Sequence, residues 1–327
     1  MSNILLLGAG FSANWGAPLA REVRNEIAMR LESDQYLSEV LNKTYDSFEA
    51  ALQVVQNEFA ISRNANDAAK RMKAFQEAVA ATFNDVNQSL ARQQFEFQSE
   101  VEFTVGRYLT HFDAIFSLNQ DLLLERHYMH PPQNTLHLSG AKVQGCAIPG
   151  LRPEAVMSFF GDDQPLHLKW RPDQPPFALQ PGLQPYFKLH GSTNWFSSNG
   201  EQMMVMGGDK TGSIRGHPVL MWYAQKFAEY LSAPGARLTI IGYSFRDPHI
   251  NRLIVEGWQN SRLPMMIVAP RGRDMLREVN GTYGKPLYFR EPLEDIISYE
   301  SRRPLREVFG GGNSSEMRNL YRFLRPN

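Results

Sequence analysis

Cysteine is nearly absent from this sequence, and its scarcity excludes several kinds of site. The 327 residues include one cysteine, Cys146, so the chain can form neither an internal disulfide nor a four-cysteine zinc site. A protein without disulfides suits a reducing compartment, and we expect a cytoplasmic location. His127, His130 and His137 cluster in the sequence, but no carboxylate or cysteine completes a recognisable ligand spacing beside them. We therefore expect no metal site.

An excess of charge and long apolar runs are lacking as well. The 34 lysines and arginines equal the 34 aspartates and glutamates, so no overall field would draw the chain to nucleic acid or acidic lipid. No apolar run approaches the roughly 20 residues that span a bilayer, and the N-terminus lacks the basic region of a signal peptide. We expect no membrane association and no direct binding of nucleic acid.

What the sequence does contain is a strand, a glycine turn and a helix at its start. Residues 4–7 are apolar, as in a strand buried on both faces. Gly8 and Gly10 follow directly, and a helical pattern begins near Pro18. Such a turn can present backbone N–H groups to a pyrophosphate, with glycine allowing a close approach. The spacing departs from GxGxxG because the next glycine is Gly16, so the turn alone fits a plain tight turn equally well.

Four later apolar runs also end in glycine or polar residues. They cover residues 114–118, 186–189, 238–241 and 264–269, and a weaker candidate strand lies at 287–289. With helical patterns between them, they predict an α/β fold, a Rossmann-like parallel sheet with helices on both faces. The carboxyl ends of such strands are where open α/β sheets bind ligands. The individual polar residues have ordinary alternatives, since Asn119 and Asp121 could cap a helix and His190 could be structural.

Three segments stand out from this single predicted domain, 1–327. Residues 43–100 carry two apolar stripes with helical spacing and predict a helical insertion; the stripes are either core or a surface for self-assembly. Residues 127–185 form a proline-rich insertion or lid without clear periodicity. Residues 291–327 form a C-terminal tail rich in arginine, which is either a solvated basic helix or a second interaction surface.

Taken in order, the strand-end motifs resemble those of the sirtuin family. GAGFS at residues 8–12 is similar to the phosphate-binding GAGxS of sirtuins, SLNQD at 117–121 to their TQNxD, and KLHGS at 188–192 carries their His-Gly. GYSF at 242–245 takes the place of the second glycine–serine turn, and IVAP at 267–270 that of the strand end near the adenosine ribose. The resemblance implies that NAD binds across the carboxyl ends of the strands.

The sequence also departs from the protein-deacylating sirtuins. One cysteine cannot form their zinc module, and their Asp-Phe-Arg after the glycine turn is replaced by residues 14–18, NWGAP. The GYSFRDPHIN segment and the helical insertion resemble the sirtuin-like proteins of bacterial antiphage defence, which hydrolyse NAD. The resemblance thus implies an NAD+ hydrolase, or NADase, acting as a defence effector with NAD as substrate. It does not imply an acyl-lysine groove.

The resemblance also assigns roles to particular residues. The NAD-binding residues would be Gly8, Ala9, Gly10, Phe11, Ser12, Gly242, Tyr243, Ser244 and Ala269. Asn119 suits the orientation of the ribose and a water, because an amide can bond to both. His190 suits general-base work, with a reference pKa near 6.5. Asp121 could hold Asn119 or His190 in place, or bind the nicotinamide carboxamide.

Two other functions remain open on the sequence alone. One is a non-catalytic sensor that binds NAD or another nucleotide, and the other is a protein ADP-ribosyltransferase.

Because an unrestrained NADase would harm its own cell, we expect control by assembly or by a partner. We expect a homo-oligomer, and a second defence protein such as a nearby-encoded ATPase or argonaute-type sensor is a further possibility.

Overall fold

The computed structural model describes residues 2–44, 48–62, 65–129, 145–154, 168–207, 209–276, 293–311 and 314–325. Its strands are β1 (Asn3–Leu7), β2 (Ala114–Ser117), β3 (Cys146–Ala147), β4 (Leu151–Pro153), β5 (Trp170–Pro172), β6 (Gln184–Lys188), β7 (Gly191–Phe196), β8 (Gln202–Met204), β9 (Arg237–Ile241), β10 (Met265–Val268) and β11 (Ile297–Ser301). Its helices are α1 (Ala9–Ser12), α2 (Ala20–Arg30), α3 (Gln35–Lys43), α4 (Phe48–Ile61), α5 (Ala65–Ala91), α6 (Val105–Leu109), α7 (Lys210–Arg215), α8 (Pro218–Ser232), α9 (Pro248–Ser261), α10 (Leu293–Ile296), α11 (Leu305–Phe309) and α12 (Ser314–Leu324). Short 3-10 turns cover Ala13–Trp15 and Val101–Phe103, and a π-helical turn covers Glu125–Met129.

The centre of the fold is a parallel sheet of seven strands in the order β11-β10-β9-β1-β2-β6-β3. Every residue of β1 is buried, which explains why its sequence is an uninterrupted apolar run rather than an alternating one. The register pairs Leu7 with Ser117 on one side and with Ile241 on the other, so neighbouring strands end level with one another. The predicted α/β class, a Rossmann-like sheet flanked by helices, is confirmed.

A second, smaller sheet has the order β4-β5-β7-β8. Its strands β4 and β5, which pair over three residues, come from the proline-rich stretch 127–185. Residues 130–144 and 155–167 of that stretch lie outside the described part of the chain. Strand β7 begins at Gly191, directly after the residue pair that follows β6. The small sheet is therefore joined to the large sheet at the carboxyl end of β6. His190 lies in this connection, between the last residue of β6 and the first residue of β7.

The helical insertion folds as a cluster of its own. Helices α4 and α5 pack with α2 and α3 around a second apolar core, which includes most of the two predicted stripes. Phe48 is 6% exposed and Phe75 is fully buried, so these parts of the stripes serve packing. Phe59, the last residue of the first stripe, is 48% exposed, and Val54 and Ile61 of α4 are exposed as well.

The C-terminal tail ends in a docked helix. On α12, Met317, Leu320 and Leu324 are buried, and the carbonyl of Leu324 accepts a hydrogen bond of 3.1 Å from Asn3 Nδ2 on the central strand. The candidate strand at 287–289 lies outside the described residues, whereas β11 is a strand that the sequence did not predict. Among the helices described, none combines the length and apolar character needed to cross a bilayer.

Candidate active site

Two glycine turns, one after β1 and one after β9, pack against each other where the order of the strands reverses. The chain runs from β1 to β2 and β6 on one side, and later adds β9, β10 and β11 on the other side. The turns after β1 and β9 therefore flank the switch point, which is the usual ligand-binding crevice of open α/β sheets. A Cβ on Gly8 would lie 2.6 Å from Gly242 O, and a Cβ on Gly10 would lie 2.8 Å from Gly242 Cα.

This packing gives the glycines a structural role in addition to the phosphate contact that the sequence predicts. The N–H of Gly8 donates to Ile241 O at 3.0 Å and the N–H of Gly10 donates to Gly242 O at 2.9 Å. Gly242 itself has a φ of +68°, and a Cβ there would lie 2.2 Å from the backbone nitrogen of Phe11. Close approach of the two turns to each other thus accounts for all three glycines, before any phosphate is considered.

The other predicted NAD-binding residues divide into exposed and buried ones. Ala9 and Ser244 are exposed at the outer side of the two turns. Phe11, Ser12 and Tyr243 are almost completely buried, and the Tyr243 hydroxyl donates to Asn251 Oδ1 at 2.9 Å. Ala269 is buried at the carboxyl end of β10, and its N–H donates to Ser301 O at 2.9 Å.

Asn119 is joined directly to the first glycine turn. It follows β2, is 8% exposed, and its Nδ2 donates to Ser12 Oγ at 3.1 Å. Its backbone N–H donates to Ser117 Oγ at 3.1 Å, which fixes the loop at the end of the strand. The structure therefore brings together two motifs that are 107 residues apart in sequence.

Asp121 has a local role. Its Oδ1 accepts the N–H of Leu123 at 3.1 Å, the side-chain capping that short acidic residues favour after a strand. Within the described part of the chain, no hydrogen bond joins its carboxylate to Asn119 or His190. The capping alternative is thus the one that the contacts favour.

His190 lies after β6, next to β2, and is paired with a second histidine. Its Nε2 is 3.0 Å from Nε2 of His249 on α9, and it is 2% exposed. Burial, opposed in part by Asp247, lowers the pKa of His190 to about 3, and Lys210 and His249 act in the same direction as burial. The imidazole is therefore neutral at physiological pH and its lone pair can accept a proton, but so low a pKa makes it a weak base in the substrate-free protein.

Asp247 and Lys210 lie beside the histidine pair, and Glu49 pairs with Lys210. Lys210 Nζ lies 2.6 Å from Asp247 Oδ1 and 2.9 Å from Glu49 Oε2. Burial alone would lower the pKa of Lys210, but the two carboxylates raise it. Burial alone would raise the pKa of Asp247, but the histidines and Lys210 more than offset it and the pKa is lowered. Asp247 and Lys210 are therefore both charged, and they connect the site to α4 of the insertion.

This cluster is the part of the site that sequence reasoning missed. Asp247 and His249 occur in the segment DPHIN after β9, where the sequence offers Asp247 as a cap for the helix that starts near His249; the structure shows no side-chain cap hydrogen bond from Asp247. Lys210 and Glu49 carry no motif at all. One signal in the sequence could have indicated His249. It lies in the first turn of the helix that follows β9, and such a residue can face the carboxyl ends of neighbouring strands.

A metal ion could use the same atoms, but the charges disfavour it. Possible ligand atoms of His190, Asp247 and His249 lie within 4.8 Å of one another, and such donors suit Zn²⁺. Lys210 already places an ammonium on this carboxylate, and it would repel a second cation. Of the three histidines clustered in the sequence, His127 bonds to Leu90 O at 2.9 Å, while residues 130 and 137 lie outside the described part of the chain.

A buried lysine ties the two candidate catalytic loops together. Lys188 is fully buried, and its Nζ donates to the backbone oxygen of Asp121 at 2.5 Å, to Glu125 Oε1 at 2.7 Å and to Ser192 Oγ at 2.8 Å. Burial raises the pKa of Glu125, and Lys188 opposes that rise. Because Asp121 and Ser192 flank the loops of Asn119 and His190, Lys188 fixes the loops relative to each other.

Comparison with known proteins adds no family assignment. Neither a scan against protein-family models nor a search of curated proteins returns a match to this chain. Its function has to be inferred from the site itself.

Proposed function

We propose that the chain is an NAD+ hydrolase that cleaves the nicotinamide–ribose bond to give nicotinamide and ADP-ribose. The observation that carries the proposal is the 3.1 Å hydrogen bond from Asn119 Nδ2 to Ser12 Oγ, because it sets an amide against the glycine turn at the switch point. A neutral, buried His190 at the end of the strand beside β2 supports it further.

The reaction makes modest demands that these side chains can meet. A glycosidic bond breaks through an oxocarbenium-like transition state, and nicotinamide leaves as a neutral molecule, so no acid has to protonate it. Asn119 would orient the ribose hydroxyls and the attacking water. His190 would take the proton from that water as its oxygen bonds to the anomeric carbon. Asp121 would act indirectly, by capping the loop that carries Asn119.

The substrate would lie along the outer side of the two glycine turns. Ala9 and Ser244 are exposed there and would contact the pyrophosphate. Ala269, at the end of β10, would lie on the adenosine side. Gly8, Gly10 and Gly242 would contribute the shape of the crevice, with Phe11, Ser12 and Tyr243 beneath them.

The biological setting belongs to the same proposal. An enzyme that depletes NAD would serve as a cytoplasmic antiphage effector, kept inactive until infection. Control would come from homo-oligomerisation and from a second defence protein, such as an ATPase or argonaute-type sensor encoded nearby. Exposed apolar residues on α4 give assembly a plausible surface.

The test is NAD consumption by purified protein, alone and with the products of adjacent genes. Nicotinamide and ADP-ribose are measured by chromatography. We expect wild type to release both in equal amounts, and Asn119→Ala and His190→Gln to lose at least 100-fold of the rate while remaining folded. His217→Gln is the matched control, since this half-buried histidine lies outside the site.

Each alternative has its own signature in that experiment. If NAD binds but stays intact, both with the protein alone and with the products of adjacent genes, the chain is a sensor and not a hydrolase. Label transferred from NAD to protein would indicate an ADP-ribosyltransferase. Efficient NAD-dependent removal of acetyl groups from an acetylated peptide would contradict the absence of deacylation that the missing zinc module implies.

A further inference from the structure

The proposed chemistry does not use His249, but this residue contacts the proposed base, His190. It lies in the first turn of α9, where the helix begins at Pro248. Its Nε2 lies 3.0 Å from Nε2 of His190, which is hydrogen-bond distance for two ring nitrogens. One imidazole must therefore donate an N–H and the other must accept it.

Both rings are neutral, so each carries a single proton on one of its two nitrogens. Burial lowers the pKa of His249 as it does that of His190; Lys210 and Arg252 act with burial on His249, and Asp247 acts against it. Asp247 and Lys210 are also the charged groups that face His190. The hydrogen bond then requires a proton on one Nε2 and a lone pair on the other, and either ring can be the donor.

The direction of that bond follows from the work assigned to His190. A base needs a free lone pair, and the contact with His249 occupies Nε2. The nitrogen left for substrate is Nδ1, so the resting proton of His190 must be on Nε2. His249 must then accept through its own Nε2 and carry its proton on Nδ1.

We propose that His249 is a positioning residue for NAD cleavage, which accepts the Nε2–H of His190 and leaves Nδ1 of His190 as the base. This rests on the proposed function, in which His190 takes a proton from water. In the step itself, the O–H bond of the water breaks, its proton moves to Nδ1 of His190, and the oxygen bonds to the anomeric carbon. The resulting imidazolium keeps its Nε2–H bonded to His249, near the carboxylate of Asp247.

Kinetics of three variants test the proposal. His249→Ala should lower kcat about 100-fold with little change in KM, because the base loses its orientation but the substrate keeps its contacts. His249→Gln should restore most of that loss, since its Oε1 can accept where Nε2 does. His249→Asn, one methylene shorter, should not restore it. Equal rates for all three and for wild type would overturn the proposal.

The pH profile separates a positioning role from a merely structural one. Wild-type kcat should stay level between pH 8 and pH 5.5, because His190 remains neutral throughout. In His249→Ala, water can enter the space, the pKa of His190 should return toward 6.5, and kcat should fall as the pH drops below it. An unchanged profile in His249→Ala would contradict the proposal.

Imidazole ¹⁵N spectra of the substrate-free protein provide a readout that does not need activity. Wild type should show His190 protonated at Nε2 and His249 at Nδ1, with His190→Gln used to assign the signals. If NAD is not cleaved but these tautomers are found, the proposed function fails and the hydrogen bond stands as assigned. His190 protonated at Nδ1, or one equivalent of zinc in the purified protein that His249→Gln removes, would overturn the assignment.

Discussion

At the scale of the residue, the histidine pair links the site to the stability of the fold. Burial depresses the pKa of His190 to about 3, whereas an unfolded histidine titrates near 6.5. The neutral form is therefore the one that the folded state favours. Stability from this residue is fully present above pH 6.5 and is lost as the pH falls from 6.5 toward the folded pKa.

This sign gives a measurable slope. Below pH 6.5 the unfolded chain binds one more proton at this position, so the free energy of unfolding should fall by about 1.4 kcal/mol per pH unit. His190→Gln should remove that contribution, and His217→Gln, at a partly exposed position, should change the slope much less. Urea denaturation of the three proteins at pH 5.5, 6.0 and 7.0 provides the comparison. Parallel slopes for wild type and His190→Gln would show that burial does not hold the ring neutral.

Lys188 supports a second prediction at this scale. Its ammonium is paired with Glu125, and both side chains are buried. Lys188→Met would leave the Glu125 carboxylate without its partner and should cost about 3–5 kcal/mol. Adding Glu125→Leu should recover much of that stability, because two apolar side chains replace the pair. The backbone of Asp121 would still lack its donor, so NAD cleavage should stay slow in the double variant. Full activity there would argue against a role for Lys188 in holding the two loops.

At the scale of the element, two glycines with positive φ, one in the packed turns and one outside them, provide a matched pair of tests. Gly242 has a positive φ of 68° and backbone atoms where a Cβ would be; Gly16 has a φ of 87° with nothing within 4 Å. Gly16→Ala should therefore cost only the left-handed strain of about 1–2 kcal/mol. Gly242→Ala adds the displacement of the first turn and should cost about 2–5 kcal/mol. Urea denaturation midpoints of the two variants measure the difference. Equal losses of stability in Gly16→Ala and Gly242→Ala would mean that the two glycine turns are not packed as described.

Elements also show why the sequence predicts some of this architecture and not the rest. Strands buried on both faces, such as β1 and β9, leave an apolar run that can be read directly. Among the described strands, β11 pairs with β10 alone, and only its two end residues are buried, so its sequence ISYES carries no such run. The second sheet is built partly from strands β4 and β5, which pair over three residues and each end in proline; such strands are too short to show any period.

The candidate site divides in the same way. Strand-end positions follow from the order of the strands, and this is why Asn119 and the first glycine turn could be assigned to the same edge of the sheet. Which side chains bond to each other depends on how helices pack over those ends. The contact between His190 and His249, and the ion pairs of Lys210, join residues from separate elements. Local sequence holds no record of such pairings.

At the scale of the whole molecule, polar contacts connect the helical insertion to the site. Asn87 of α5 accepts the N–H of Leu122 at 2.9 Å and donates to Thr193 Oγ1 at 3.1 Å. These partners lie just beyond Asp121 and His190. On α4, Glu49 bonds to Lys210 and through it to Asp247. A change in the position of the insertion would thus reach both candidate catalytic loops, which is what control by assembly requires.

Assembly through α4 is the prediction that belongs to this scale. Val54 and Ile61 lie two helical turns apart and share a face, and they are 41% and 82% exposed. We expect light scattering over a concentration series to give a mass above the 37.3 kDa of one chain. Val54→Glu combined with Ile61→Glu should reduce it to one chain, because charges cannot enter an apolar interface without a partner. Leu179→Glu, at a position 38% exposed outside α4, should leave the mass unchanged. A single-chain mass for wild type at every concentration, with full NAD cleavage, would rule out control by self-assembly.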